Sequence, residues 1–122
     1  RLARIWGDDE LERLAVGVFR LIAPLVPRAP SAFGHALCAL DLHFSTPREV
    51  AVVGPPDSEI ARAALAPFDP NTVVAFGPAD GVPLLEGKDL VDGRPAVYVC
   101  ERFACKAPAT EPGELAVALS AK

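Results

Sequence analysis

The sequence predicts an α/β chain: an N-terminal αα-hairpin, then a small three-stranded, mainly parallel sheet with helices packed on it. Three observations carry this. Apolar residues recur at helical spacing through the first forty or so residues. The period changes at residues 49–53, EVAVV, a continuous β-branched-rich run of the kind found in strands buried on both faces of a parallel sheet. A strand, a helix and a second strand then follow within residues 49–76, which is the order of a βαβ unit with a right-handed crossover.

Residues 1–7, RLARIWG, read as the tail of a helix ended by Gly7, which suits a left-handed C-terminal position. A beginning in the last turns of a helix implies a chain cut from a longer one. Trp6 is expected to pack against the helical hairpin. Asp8 is a good N-cap, and Asp9 and Glu10 place negative charge at the positive end of the next helix. Leu11, Leu14, Ala15, Val18, Leu21, Ile22 and Leu25 make that helix amphipathic over about residues 9–23, with Pro24 stopping it. After a proline-rich connector, Ser31 is placed to cap a second helix over residues 32–43. It is apolar nearly all round, so burial between other elements is expected.

Ser58 or Asp57 caps the crossover helix, residues 59–66, and residues 71–76, NTVVAF, form the second strand. Residues 77–94 are rich in Gly and Pro and long for a structureless loop, which predicts a short helical turn or edge strand near residues 82–85. Residues 96–100 supply the third strand. Thr110 caps the last helix, with Glu111 and Pro112 in its first turn.

Composition narrows the function classes. One core is the expectation for 122 residues, and 51% hydrophobic with 23% charged residues describes a folded domain. The net charge is −4, and the 12 Lys and Arg are scattered singly, so the basic stripe of a nucleic-acid binder is missing. No apolar stretch reaches the ~20 residues of a membrane span, and no signal-peptide pattern opens the chain. Three cysteines are too few for a disulfide-built secreted fold, and a cytoplasmic location is expected. No cofactor is implied. The turn 54–59, GPPDSE, precedes a helix N-terminus but lacks the glycine spacing of a phosphate-binding loop, and its prolines remove backbone donors.

Two groups of residues could carry chemistry, and no catalytic residue is assigned. Cys100 and Cys105 stand in a Cys-x4-Cys spacing at the join of the third strand and the loop before the last helix. The spacing admits packing of two small apolar side chains, a reversible disulfide, or half a metal site; zinc would need two further ligands from other elements, so no metal is expected. His35, Cys38 and Asp41 lie along one ridge of the second helix, with His43 close by. A Cys-His pair can be a nucleophile with its base, or two metal ligands, or a buried pair satisfied by neighbouring backbone.

The runs AFGHALCALDLHFSTPREVAVVG and LLEGKDLVDGRPAVYVCERFACKAPATEPGEL resemble the C-terminal end of the thioredoxin-domain-containing proteins of the spermatogenesis-associated type, including the bacterial YyaL-like members. The Tyr-Val-Cys-x-x-Phe-x-Cys-x-x-Pro-x-Thr run, with Cys100, Phe103, Cys105, Pro108 and Thr110, is its most specific part. In that family a thioredoxin-like domain is followed by an (α/α)6 toroid similar to sugar epimerases and six-hairpin glycosidases. The resemblance implies that residues 1–45 are the last helices of the toroid and residues 46–122 a small C-terminal α/β domain. The rest of the polypeptide, the thioredoxin-like and toroid domains, would be its partner. The function it implies is a non-catalytic structural or interaction module of a larger protein. The alternatives are a thiol-redox accessory using Cys100 and Cys105, or part of a sugar epimerase- or isomerase-like enzyme with His35 near its pocket.

Overall fold

A computed structural model describes residues 1–78 and 80–120. Five helices and four strands follow in order: α1 (Leu2–Trp6), α2 (Asp9–Ile22), α3 (Gly34–Phe44), β1 (Arg48–Val53), α4 (Glu59–Leu65), β2 (Thr72–Phe76), β3 (Ala96–Glu101), β4 (Ala104–Cys105) and α5 (Pro112–Ser120). Gly7 ends α1 in the left-handed conformation with φ 60°, as expected. The Asp8 carboxylate accepts the Glu10 and Leu11 N–H groups at 2.8 and 3.1 Å, and so caps α2. Trp6 is half exposed.

The start of α3 differs from expectation. Pro30–Phe33 forms a separate 3-10 turn, and the α-helix begins only at Gly34, because Phe33 (φ −110°, ψ 20°) departs from helical geometry. Ser31 therefore caps nothing. The predicted burial of α3 also fails: Leu42 is its one buried residue among those described, and Phe44 is 79% exposed. α2 and α3 touch at Phe19 and His43, with ring centroids 5.8 Å apart, and at Glu12 and His43. Elsewhere an apolar groove of about 550 Å³ lies along them, lined by Val16, Ile22, Ala23, Leu37 and Leu40. The helical pair is open on this side.

The sheet is four-stranded and mixed, in the order β2-β1-β3-β4. This corrects the three-stranded, mainly parallel sheet of the sequence reading. β1 and β2 are parallel across the α4 crossover, in the register Glu49↔Val73 and Ala51↔Ala75. β3 runs antiparallel to β1, pairing Val53 with Ala96 and Glu49 with Cys100. The reason lies in the connection. Residues 77–95 leave the end of β2 and, among those described, hold a 3-10 turn, Pro83–Leu85, and an isolated bridge between Val91 and Arg94. With no crossover helix to carry the chain to the other end of the sheet, β3 starts beside the end of β1 and runs back.

Both faces of the sheet are covered. On one, Val50, Val52, Val97 and Val99 pack with Ile60, Ala61 and Ala64 of α4 and Leu115 of α5. On the other, Ala51 and Ala75 pack with Leu84 and Leu85, and Ile5 of α1 and Tyr98 join them. Gly54 closes β1 at φ 123°, and a Cβ there would stand 2.8 Å from the Pro95 Cβ. That close approach leaves no room for a side chain where β1 ends beside the start of β3.

Candidate functional site: the Cys100–Cys105 hairpin and the helical cleft

β3 and β4 are joined by the two-residue turn Arg102-Phe103, with φ 50° and 63°. Positive φ at both central residues is the pattern of a type I′ hairpin, whose twist matches the strands it joins. Neither residue is Gly, Asn or Asp, so the turn is costly on its own, about 1–2 kcal/mol for each left-handed residue. Three contacts hold it. The Cys100 and Cys105 sulfurs form a disulfide across paired positions of the hairpin. The Phe103 N–H donates to Glu49 Oε2 at 2.7 Å. The Phe103 ring lies against Gly7, where an added Cβ would meet it at 3.2 Å.

The two sulfurs are unlike. Cys100 is 1% exposed, on a core strand, whereas Cys105 is exposed. Of the two, Cys105 is the one on the side that a thiolate arriving from solvent meets first. Cys105 lies in a short strand rather than in a loop, which is what brings it opposite Cys100. Glu49 was not singled out by its sequence: in EVAVV it reads as the polar start of a strand. It is 1% exposed, the most buried acidic side chain described. The signal that could have found it is an acidic residue opening a run read as buried on both faces of the sheet.

The second group sits in a cleft of about 610 Å³ between the helices and the loop before β2. His35 and Cys38 line it, together with Arg4, Glu12, His43 and Asp69. Asp41 does not; its Oδ2 accepts from Asn71 Nδ2 at 2.8 Å. The expected ridge of three is therefore split, with two members in the cleft and one bonded to Asn71, just before β2. Arg4 Nη2 and His43 Nδ1 each lie 3.3 Å from Glu12 Oε1. At the cleft edge Asp69 is held below the usual carboxylate range, chiefly by the Asn71 N–H, then by the Thr72 hydroxyl and by Arg48. Among the described residues no group of three or more His, Cys, Asp or Glu is placed to hold a metal ion.

The chain is 28% identical over 126 residues to spermatogenesis-associated protein 20 of Rattus norvegicus, a member of a thioredoxin-domain family. The match covers 94% of this chain and 16% of that protein, so the chain spans about a sixth of its relative's length. No protein-family model and no solved structure matches the chain.

Proposed function

We propose that this chain is a non-catalytic module of a longer, thioredoxin-domain-containing polypeptide, and that its α2–α3 face packs against the remainder of that polypeptide. One observation carries the reading: Leu14, Val18, Leu21, Leu25, Leu37 and Phe44 stand exposed along these two helices and the segment joining them. Exposed apolar side chains in this number mark an interaction surface. The occupant is taken from the distant relative, whose length extends far beyond the matched region. Residues 1–45 would then be the closing helices of a helical domain, and residues 46–122 the α/β unit that ends it. The test is the full-length polypeptide carrying Val18→Ser, Leu21→Ser and Phe44→Ser. Limited proteolysis should cut it faster between this region and the rest. The isolated chain with the same changes should melt within about 0.5 kcal/mol of wild type, since these side chains are already exposed. An unchanged digestion pattern, or turnover of a sugar by the isolated chain, contradicts the module reading.

A second reading is favoured by the hairpin. The Cys100–Cys105 pair, with one residue exposed and one buried, has the layout of a thiol–disulfide exchange pair. In this reading the module is a redox accessory to a thioredoxin-like domain of the same polypeptide. A bond that opens under mild reductant and closes on a disulfide substrate supports it. One that resists reduction until the chain unfolds contradicts it.

A further inference from the structure

Glu49, Cys100 and Cys105 form a row across three strands. Glu49 pairs with Cys100, and Cys100 with Cys105. Direct partners on antiparallel strands project from the same face with Cβ atoms about 4.5–5.5 Å apart. The Glu49 side chain therefore leaves the sheet on the same face as the buried Cys100. Burying a carboxylate costs several kcal/mol unless it is compensated, and an aliphatic side chain would serve the core of a central strand better. The Phe103 N–H, from the turn that closes the hairpin, offsets part of that cost.

We propose that Glu49 is the proton acceptor for the Cys100 thiol when the pair exchanges with a disulfide substrate. This rests on the redox reading above and adds the residue that makes the buried sulfur reactive. In the reduced protein the exposed Cys105 thiolate attacks one sulfur of the substrate disulfide. A Cys105–substrate disulfide forms, the substrate S–S bond breaks, and its other sulfur leaves as a thiolate. Cys100 then passes its proton to the Glu49 carboxylate and attacks Cys105 Sγ. The Cys100–Cys105 bond forms, and the second substrate sulfur leaves as a thiolate. The protein is oxidised by two electrons, the substrate disulfide is reduced to two thiolates, and Glu49 carries the proton. In the reverse direction the protonated Glu49 returns it to Cys100 as the bond opens. Without an acceptor, a Cys100 thiolate would have to form in a buried site, which desolvation opposes.

Several of the charged and titratable groups on the surrounding elements have partners of their own. Arg1 donates to the Thr72 and Pro70 carbonyls, and Arg4 pairs with Glu12. Tyr98 Oη donates to the Asp89 carbonyl, and Lys88 Nζ to the Glu86 carbonyl.

The experiment uses the reduced protein carrying Cys38→Ser, because Cys38 is an exposed free thiol. It is mixed with an aromatic disulfide that releases a coloured thiolate on each cleavage. The first release reports attack by Cys105, and the second reports closure by Cys100. Glu49→Gln can still accept the Phe103 N–H but cannot take a proton. It should leave the first release within about twofold and slow the second by about 100-fold, the size of a general-base contribution. The second release should be flat between about pH 6 and 9 in the parent protein and rise with pH in the variant. Glu49→Asp, which keeps a carboxylate, should restore the flat profile. Equal second-release rates and profiles in parent and Glu49→Gln overturn the assignment while leaving the redox reading intact. If the parent releases only one equivalent and never closes its bond, both fall. Should Glu49→Gln not fold, the parent profile alone decides: a second release rising about tenfold per pH unit refutes proton transfer to Glu49.

Discussion

Removing the hairpin bond should lower stability by an amount that depends on which sulfur is taken. The two cysteines are five residues apart, and closing so short a loop removes about 7 cal/mol/K from the unfolded chain, or ~2 kcal/mol at 25 °C. For a chain of this length each kcal/mol moves the melting temperature by about 4 °C. Cys105→Ala removes the bond and little else, because Cys105 is exposed, so a fall of about 8 °C is expected. Cys100→Ala also empties a core position, since Cys100 is 1% exposed. That costs about 1 kcal/mol more, or a further ~4 °C. Thermal unfolding followed by circular dichroism, with and without reductant, checks both. Wild type in reductant should fall onto the Cys105→Ala curve, and neither variant should respond to reductant. A wild-type curve that moves by less than about 1 °C, with reduction verified by alkylation, would refute the argument that this bond holds the strained turn.

Other substitutions probe the rest of the account. Gly54→Ala should cost about 2–4 kcal/mol, from strain at φ 123° and the approach to Pro95, read as a loss of melting temperature; a neutral result would mean that the β1–β3 register does not depend on that contact. Arg102→Gly should raise stability by about 1 kcal/mol by relieving a left-handed residue in the turn. Asp69 and Glu114 are both held below the usual carboxylate range, Asp69 chiefly by the Asn71 N–H and Glu114 chiefly by the Thr110 N–H and then that of Glu111. A lowered folded-state pKa gives stability that is present above the unfolded value and lost as pH falls through the folded one. Asp69→Asn and Glu114→Gln should therefore melt below wild type near neutral pH, with the gap closing below about pH 4; a gap that persists in acid assigns the effect to packing instead.

Much of the helical and strand order was legible because each signal was local. Asp8 capped α2, Gly7 ended α1 and the β-branched run became β1, as their chemistry requires. The orientation of β3 was not legible, because it depends on where residues 77–95 deposit the chain, and no residue type encodes that. Thr110 was expected to cap α5 with its hydroxyl, yet Glu114 reaches back to the Thr110 and Glu111 N–H groups. Both are N-terminal capping devices, and the carboxylate brings the greater charge to the helix start. At the site, the Cys100–Cys105 spacing was visible but not the strand pairing that sets the sulfurs face to face. Glu49 was hidden because its burial comes from a hairpin more than fifty residues away in sequence. The exposed α3 face has the composition of a buried helix, and the described residues contain nothing that covers it.

The bond between Cys100 and Cys105 underlies both the stability of the hairpin and its proposed exchange chemistry. Differential alkylation of the native protein, read by intact mass and peptide mapping with and without reductant, tests it most directly. The account predicts that Cys38 alone is modified before reduction, and that Cys100 and Cys105 become available together once mild reductant is added. Modification of all three thiols in untreated native protein would contradict it.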